Sequence, residues 1–222
     1  REGMKVVLAD IEKEALDAAV TKLRQQEFDV IGVVADVSRE SAIQELHERA
    51  IAEYGKVHIL CNNAGVFGGV HQGPIWEATP KDWDWVFGVN WWGVVHGVRT
   101  FLPGMLAHGE PGHIVNTSSV GGLVPGSGIY GISKHAVVAL SEVLYSQLGG
   151  LQANIGVTVL CPGGTNTRIL EGQRNRQAEY AEADRKAYFR PASPVRGLVE
   201  RGVPPSQVAD ALFEAIRSGQ FY

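Results

Sequence analysis

The chain has 222 residues, enough for one domain with a substantial core. Hydrophobic residues make up 45% and charged residues 20%, the balance of an ordinary globular protein and not of a disordered one. A net charge of -4 excludes the basic excess of a nucleic-acid binder. Two cysteines, Cys61 and Cys161, each close an apolar run, so they read as buried thiols in a reducing compartment rather than as a disulfide. The 27 glycines are an excess that asks for close backbone approaches.

The first apolar run covers residues 6–9, and an amphipathic segment over 12–26 follows it. A second run at 30–34 precedes a helix predicted over 41–54. After the run 58–61 comes a loop through Phe67, Gly68 and Gly69 to Gly73, longer than a simple connection. Thr79-Pro80-Lys81-Asp82 then gives an N-cap, a proline at the first helical position and an acid in the first turn, opening a long helix over 80–107. The run 113–116, a helix over 130–151, the run 157–161 and a last helix over 205–217 complete the pattern. Short β-branched runs alternating with crossover helices predict an α/β fold, a Rossmann-like doubly wound parallel sheet in a single domain. Residues 168–202 depart from it, being polar and interrupted by Pro191 and Pro194, and read as a substrate lid. All apolar stretches fall short of a membrane span, which, with the absence of a leader-like start, gives the expectation of a cytoplasmic protein.

In such sheets ligands bind beyond the carboxyl ends of the strands. The residues there are Asp10, Asp36-Val37, Asn62-Asn63-Ala64-Gly65, Ser118-Ser119 and Pro162-Gly163-Gly164-Thr165, all of them small, polar or acidic but for Val37. Asp10 can accept two hydrogen bonds from an adenosine ribose and would repel a 2′-phosphate, with Ile11 rather than an arginine beside it; it can equally just end a strand. Asp36 carries the same two readings. Tyr130 and Lys134 stand four apart, on one helix face. The cation would favour the phenolate, so that Tyr130 could exchange a proton with a substrate oxygen. Ser119, or its neighbour Ser118, can donate to the same oxygen. Asn90 lies among bulky apolar residues within a helix, where it either bends the helix or serves the site. All five tryptophans fall between Trp76 and Trp92, as helix-packing and subunit contacts or as the floor for a bulky substrate. The seven histidines show no metal-ligand spacing, so no metal is expected.

Asn62-Asn63-Ala64-Gly65, Asn90, Ser119, Tyr130-x-x-x-Lys134 and Pro162-Gly163, in that order on alternating strands and helices, resemble the short-chain dehydrogenase/reductase family. The resemblance implies an NAD(P)-dependent oxidoreductase interconverting a secondary alcohol and a ketone, with NAD favoured over NADP. It implies Tyr130 as general acid/base, Lys134 lowering its pKa and holding the nicotinamide ribose, Ser119 orienting substrate, and Asn90 anchoring a water. It places Asp36 and Val37 at the adenine, Ala64 and Gly65 against the cofactor, and Thr165 and Thr167 at its nicotinamide side. It also implies a homodimer or homotetramer built on the two long helices. Against the family pattern, the first strand and glycine-rich phosphate loop are absent, and the chain is expected to be truncated there and at its C-terminus. A nucleotide-binding or interaction protein of this fold without turnover is the alternative; a nucleotide-sugar epimerase would need a larger C-terminal domain.

Overall fold

The β-branched runs become parallel strands in the computed structural model, which describes residues 3–68, 75–181 and 194–222. β1 (Val6–Asp10) pairs with β2 (Val30–Val34), and β3 (Ile59–Asn62) pairs with β4 (Gly112–Thr117), which pairs with β5 (Ile155–Leu160). The single sheet expected from the alternation is thus present as two parallel pieces, one of two strands and one of three. Each strand lies within two residues of its expected position. Gln220 and Phe221 run beside β5, where their carbonyls accept from Thr158 Oγ1 and Val159 N.

The helices follow their apolar stripes. α1 (Lys13–Arg24) buries Leu16 and Val20 against β2, so closely that a Cβ on Gly32 would come within 2.9 Å of Val20 Cγ2. α2 (Glu40–Tyr54) contributes Ile43 to the main core. The predicted cap is present, Thr79 Oγ1 accepting from Asp82 N at the start of α3 (Pro80–Phe87). The long helix expected from there is divided: a π-helical turn at Gly88–Trp92 separates α3 from α4 (Gly93–His108). Such one-turn bulges commonly mark functional positions, and Asn90 lies inside this one.

α5 (Gly128–Gly150) starts two residues before the expected boundary, which puts Tyr130 in its first turn. Its buried face, with Val137, Val138, Leu144 and Leu148, packs on β4 and β5. The main core joins Leu60, Phe101, Met105, Ile114, Leu144, Leu148 and Val157. A second cluster of Val66, Trp85, Val86, Val89 and Ile129 lies beneath the carboxyl ends of the strands. α6 (Pro194–Glu200), unforeseen in the sequence, and α7 (Pro205–Ser218) complete the described helices. The lid expectation falls in part on 182–193, and the expectation of a lengthened loop over 67–73 in part on 69–73, both stretches outside the described residues. The described part of the lid forms two 3₁₀ segments, Ile169–Asn175 and Ala178–Tyr180, and α6.

The buried-thiol expectation does not hold, because Cys61 is exposed and Cys161 is half-buried. The tryptophans divide between roles. Trp85 is fully enclosed in the second cluster, whereas Trp76 is 81% exposed and Trp92 48%.

Candidate active site

β4 ends at Thr117, and the chain turns at Ser118 and Ser119 before a short 3₁₀ turn, Val120–Gly122. Gly131 of α5 presses on that turn, since a Cβ there would lie 2.7 Å from the Gly121 carbonyl oxygen. Close packing of these two glycine-bearing elements brings the start of α5 against the end of β4. The two serines then separate by role. Ser118 is buried and donates to the Lys134 carbonyl at 2.7 Å, which leaves it a helix anchor. The Ser119 hydroxyl stands close to the Tyr130 phenol, accepts from Gly121 N at 3.1 Å and donates to the Pro162 carbonyl at 3.4 Å. Ser119 is therefore the serine that stands beside the phenol.

Tyr130 and Lys134 share one face of α5, the ammonium 5.9 Å from the centre of the tyrosine ring. Lys134 is 2% exposed and donates to the Thr117 carbonyl at 2.7 Å. Burial drives its pKa down to about 8. The phenol of Tyr130 moves the other way from the sequence expectation: burial raises its pKa, and the nearby Ser119 hydroxyl only partly opposes that. Sequence spacing supplied the cation but not the desolvation, which dominates. Phe67 from the loop after β3 covers the phenol, with ring centres 4.7 Å apart. The cleft beside Tyr130 is otherwise walled by Ile75, Val86 and Ile129, with Asp82 and Ser127 as its polar groups.

Asn90 is wholly buried, and its amide is spent on the protein. Oδ1 accepts from Val66 N at 2.8 Å, while Nδ2 donates to Val66 O and to Ser133 Oγ, both at 3.0 Å. Ser133 in turn donates to the Tyr130 carbonyl at 2.7 Å. The side chain so fixes the loop after β3 against the first turn of α5 and does not project into the cleft. Ser133 was missed in the sequence, although it lies between the two residues of the Tyr-x-x-x-Lys pattern.

Several predicted cofactor residues serve the frame. Asn62 donates to Asn116 Oδ1 at 2.9 Å, and Asn116 donates to Ser141 Oγ at 3.0 Å, a polar ladder tying β3, β4 and α5. Asn63 Oδ1 accepts from Thr117 Oγ1. A Cβ on Gly65 would meet Lys134 Nζ at 3.2 Å and Asn90 Oδ1 at 3.3 Å, so this glycine makes room for the lysine. Gly121 likewise leaves room for protein atoms, a Cβ there coming within 2.9 Å of Ser127 Oγ. Ala64 and Gly163 stay exposed at the strand ends. The half-buried Pro162 offers its carbonyl to Val120 N and Ser119 Oγ. Thr165 forms a bridge with Val203, and Thr167 Oγ1 accepts from Ile169 N.

On the other sheet, Asp10 and Ile11 are exposed at the end of β1, and Asp10 Oδ1 accepts from Glu12 N at 2.8 Å. Asp36 Oδ1 accepts from the amide and hydroxyl of Ser38. Val37 packs against both the main core and the second cluster. The structure therefore brings Ser119, Tyr130 and Lys134 together at one end of the groove. Asp10, Asp36 and Val37 lie on the neighbouring strand pair.

Comparison with known proteins gives a consistent assignment. The profile of the family described as short chain dehydrogenase matches residues 1–178. The 1-deoxy-11-beta-hydroxypentalenate dehydrogenase of Streptomyces avermitilis is 34% identical, over 99% of this chain and 74% of its own length. The C alpha-dehydrogenase of Sphingobium sp. is 32% identical, over 99% of this chain and 72% of its own. A short chain dehydrogenase/reductase from Burkholderia phymatum, solved in complex with NAD, superposes with a TM-score of 0.92 at 44% identity, covering 99% of this chain and 79% of that one.

Proposed function

Because the chain belongs to the short-chain dehydrogenase/reductase family, a family of oxidoreductases, we propose that it interconverts a secondary alcohol and a ketone with NAD, Tyr130 handling the proton. One observation carries this reading: the phenol of Tyr130 lines a largely apolar cleft, with the hydroxyl of Ser119 close beside it and the buried ammonium of Lys134 5.9 Å from its ring centre. Bound NAD would supply hydride acceptance from the alcohol carbon, and its reduced form the return.

The residues fit such a dinucleotide. Asp10 and Asp36 offer carboxylates at the ends of β1 and β2, and a Cβ on Gly163 would meet nothing within 4 Å, leaving backbone open to a ligand. A carboxylate at Asp10 beside the apolar Ile11 supports NAD over NADP, because it would repel a 2′-phosphate.

With its pKa raised by burial, Tyr130 is a protonated phenol at neutral pH and can donate to the oxygen of a ketone. Ser119 offers its hydroxyl to the same oxygen and orients it. In the direction of alcohol oxidation the phenol must first lose its proton to solvent; the Lys134 ammonium favours the resulting phenolate, which then accepts the proton of the alcohol hydroxyl. The apolar wall of Phe67, Ile75, Val86 and Ile129 supports a substrate with apolar substituents on the reacting carbon. Exposed Leu106, Ile132 and Val143 on α4 and α5 support self-association through those helices.

The test is Tyr130→Phe. It keeps the ring that packs on Phe67 and removes the proton carrier, so turnover should fall by about 100- to 10,000-fold. NADH binding followed by fluorescence should be retained. Undiminished turnover would overturn the assignment of Tyr130.

A further inference from the structure

The described part of the polar segment does not hang over the Tyr130 cleft alone. It crosses the groove toward the strand pair that carries Asp10 and Asp36. Near its start, a Cβ on Gly172 would touch Val66, the residue pinned by Asn90. Arg174 and Asn175 both donate to Glu12 Oε1, just beyond Asp10. Arg176 is buried and donates to Asp82 Oδ1 at 2.8 Å, its guanidinium 4.9 Å from the Trp85 ring centre. Glu179 pairs with Arg39, and Ala181 O accepts from Lys81 Nζ. The segment is a strap held at both margins of the groove.

Gln177 lies between those anchors, and its Nε2 donates to Asp36 Oδ2 at 2.7 Å. An ionised carboxylate only accepts, so the amide NH₂ must be the end that faces Asp36, and the carbonyl end is thereby turned away. Gln177 Oε1 is buried and receives no hydrogen bond. A buried carbonyl beside a carboxylate, with no donor of its own, is an incomplete polar site.

We propose that Gln177 is a second adenine-recognition residue beside Asp36, which the family resemblance already places at the adenine: its Oε1 accepts from the exocyclic amine of the dinucleotide, and the strap closes the adenosine half of the site. Two acceptors suit an amino group with two protons and are mismatched to a 6-oxo purine, which presents an acceptor at that position. The inference rests on the proposed use of NAD, and its test separates the two.

Affinities are measured by fluorescence titration with NADH and with reduced nicotinamide hypoxanthine dinucleotide, in which the amine is replaced by an oxo group. The wild-type protein should prefer NADH by roughly tenfold, the worth of one well-made hydrogen bond. Gln177→Met, which fills similar volume without the amide, should shrink that preference while binding the hypoxanthine analogue about as well as wild type. Equal wild-type affinity for the two dinucleotides overturns the proposal without any variant. So does a Gln177→Met protein with an unchanged ratio, or one weakened equally toward both, since that marks a merely structural strap. A wild-type protein that binds neither dinucleotide refutes the NAD reading itself, and the role of Gln177 falls with it.

Discussion

Replacing Lys134 by methionine should make the protein more stable at neutral pH. An ordinary lysine titrates at 10.5, and burial holds Lys134 down to about 8. A tenfold change in a proton-binding constant is about 1.4 kcal/mol, so keeping this ammonium charged in the fold costs ~3 kcal/mol below that pH. Methionine removes the charge and fills similar space, but it forfeits the hydrogen bond to the Thr117 carbonyl, worth about 1 kcal/mol. The net expectation is a gain of ~2 kcal/mol at pH 7. The sign follows from proton counting. Between about 8 and 10.5 the unfolded lysine holds its proton and the folded one has lost it, so wild-type stability rises with pH across that window. Below the window the penalty is complete, and above it the penalty is gone. Urea denaturation of both proteins at pH 7, 8, 9 and ~10 should show the advantage of Lys134→Met shrinking toward zero as pH rises. A gap that stays constant across that range, or a methionine variant less stable at pH 7, would refute the claim that this lysine is held in place against its own desolvation.

Ser118→Ala and Ser119→Ala should separate structure from chemistry. The first breaks the tie to the Lys134 carbonyl and lowers stability by about 1 kcal/mol with turnover little changed; the second loses the bond from Gly121 N, lowering stability by a similar amount, and also lowers kcat/KM by about a hundredfold. Thermal melts and steady-state kinetics on the pair read this directly. Arg176→Met leaves the buried Asp82 carboxylate without its guanidinium and should cost about 3 kcal/mol in urea denaturation. Arg176→Met combined with Asp82→Leu should recover most of that loss, because the stranded charge goes with its partner.

The strands and main helices were legible because their signals are local: β-branched runs of strand length, and apolar stripes at helical spacing. Tyr130 and Lys134 were legible for the same reason, being one helical turn apart. Other features of the site depend on what folding brings together. Asn62 meets Asn116 across 54 residues, Arg176 meets Asp82 across 94, and Gln177 meets Asp36 across 141. No window along the chain contains both members of any of these pairs. The direction in which the Tyr130 pKa moves was misread because the cationic neighbour is visible in sequence and the burial is not. The π turn at Asn90 and the helix Pro194–Glu200 carry no distinctive periodicity of their own. The glycine excess answers in part to packing: Gly32, Gly65, Gly121 and Gly131 make room for protein atoms.

The geometry of the whole groove rests on packing more than on sheet hydrogen bonds. The strand pair with Asp10 and Asp36 and the three strands supporting Tyr130 form separate ladders, so backbone pairing alone does not set their spacing. The contact that does set it is steric. Val37, next to Asp36, lies against Gly93 at the start of α4, where a Cβ would come within 2.8 Å of Val37 Cγ2. The strap adds a second link, but its pairs to Arg39 and Glu12 are partly open to water and worth little individually. Its firm hold is the Arg176–Asp82 pair, enclosed beside Trp85, at the centre of the span. A strap fixed in the middle and loosely paired toward β1 and β2 can release its grip on Asp36 without losing its seat on α3. That is the mechanical requirement if the adenosine end is to open for a dinucleotide while the walls of the Tyr130 cleft stay in place.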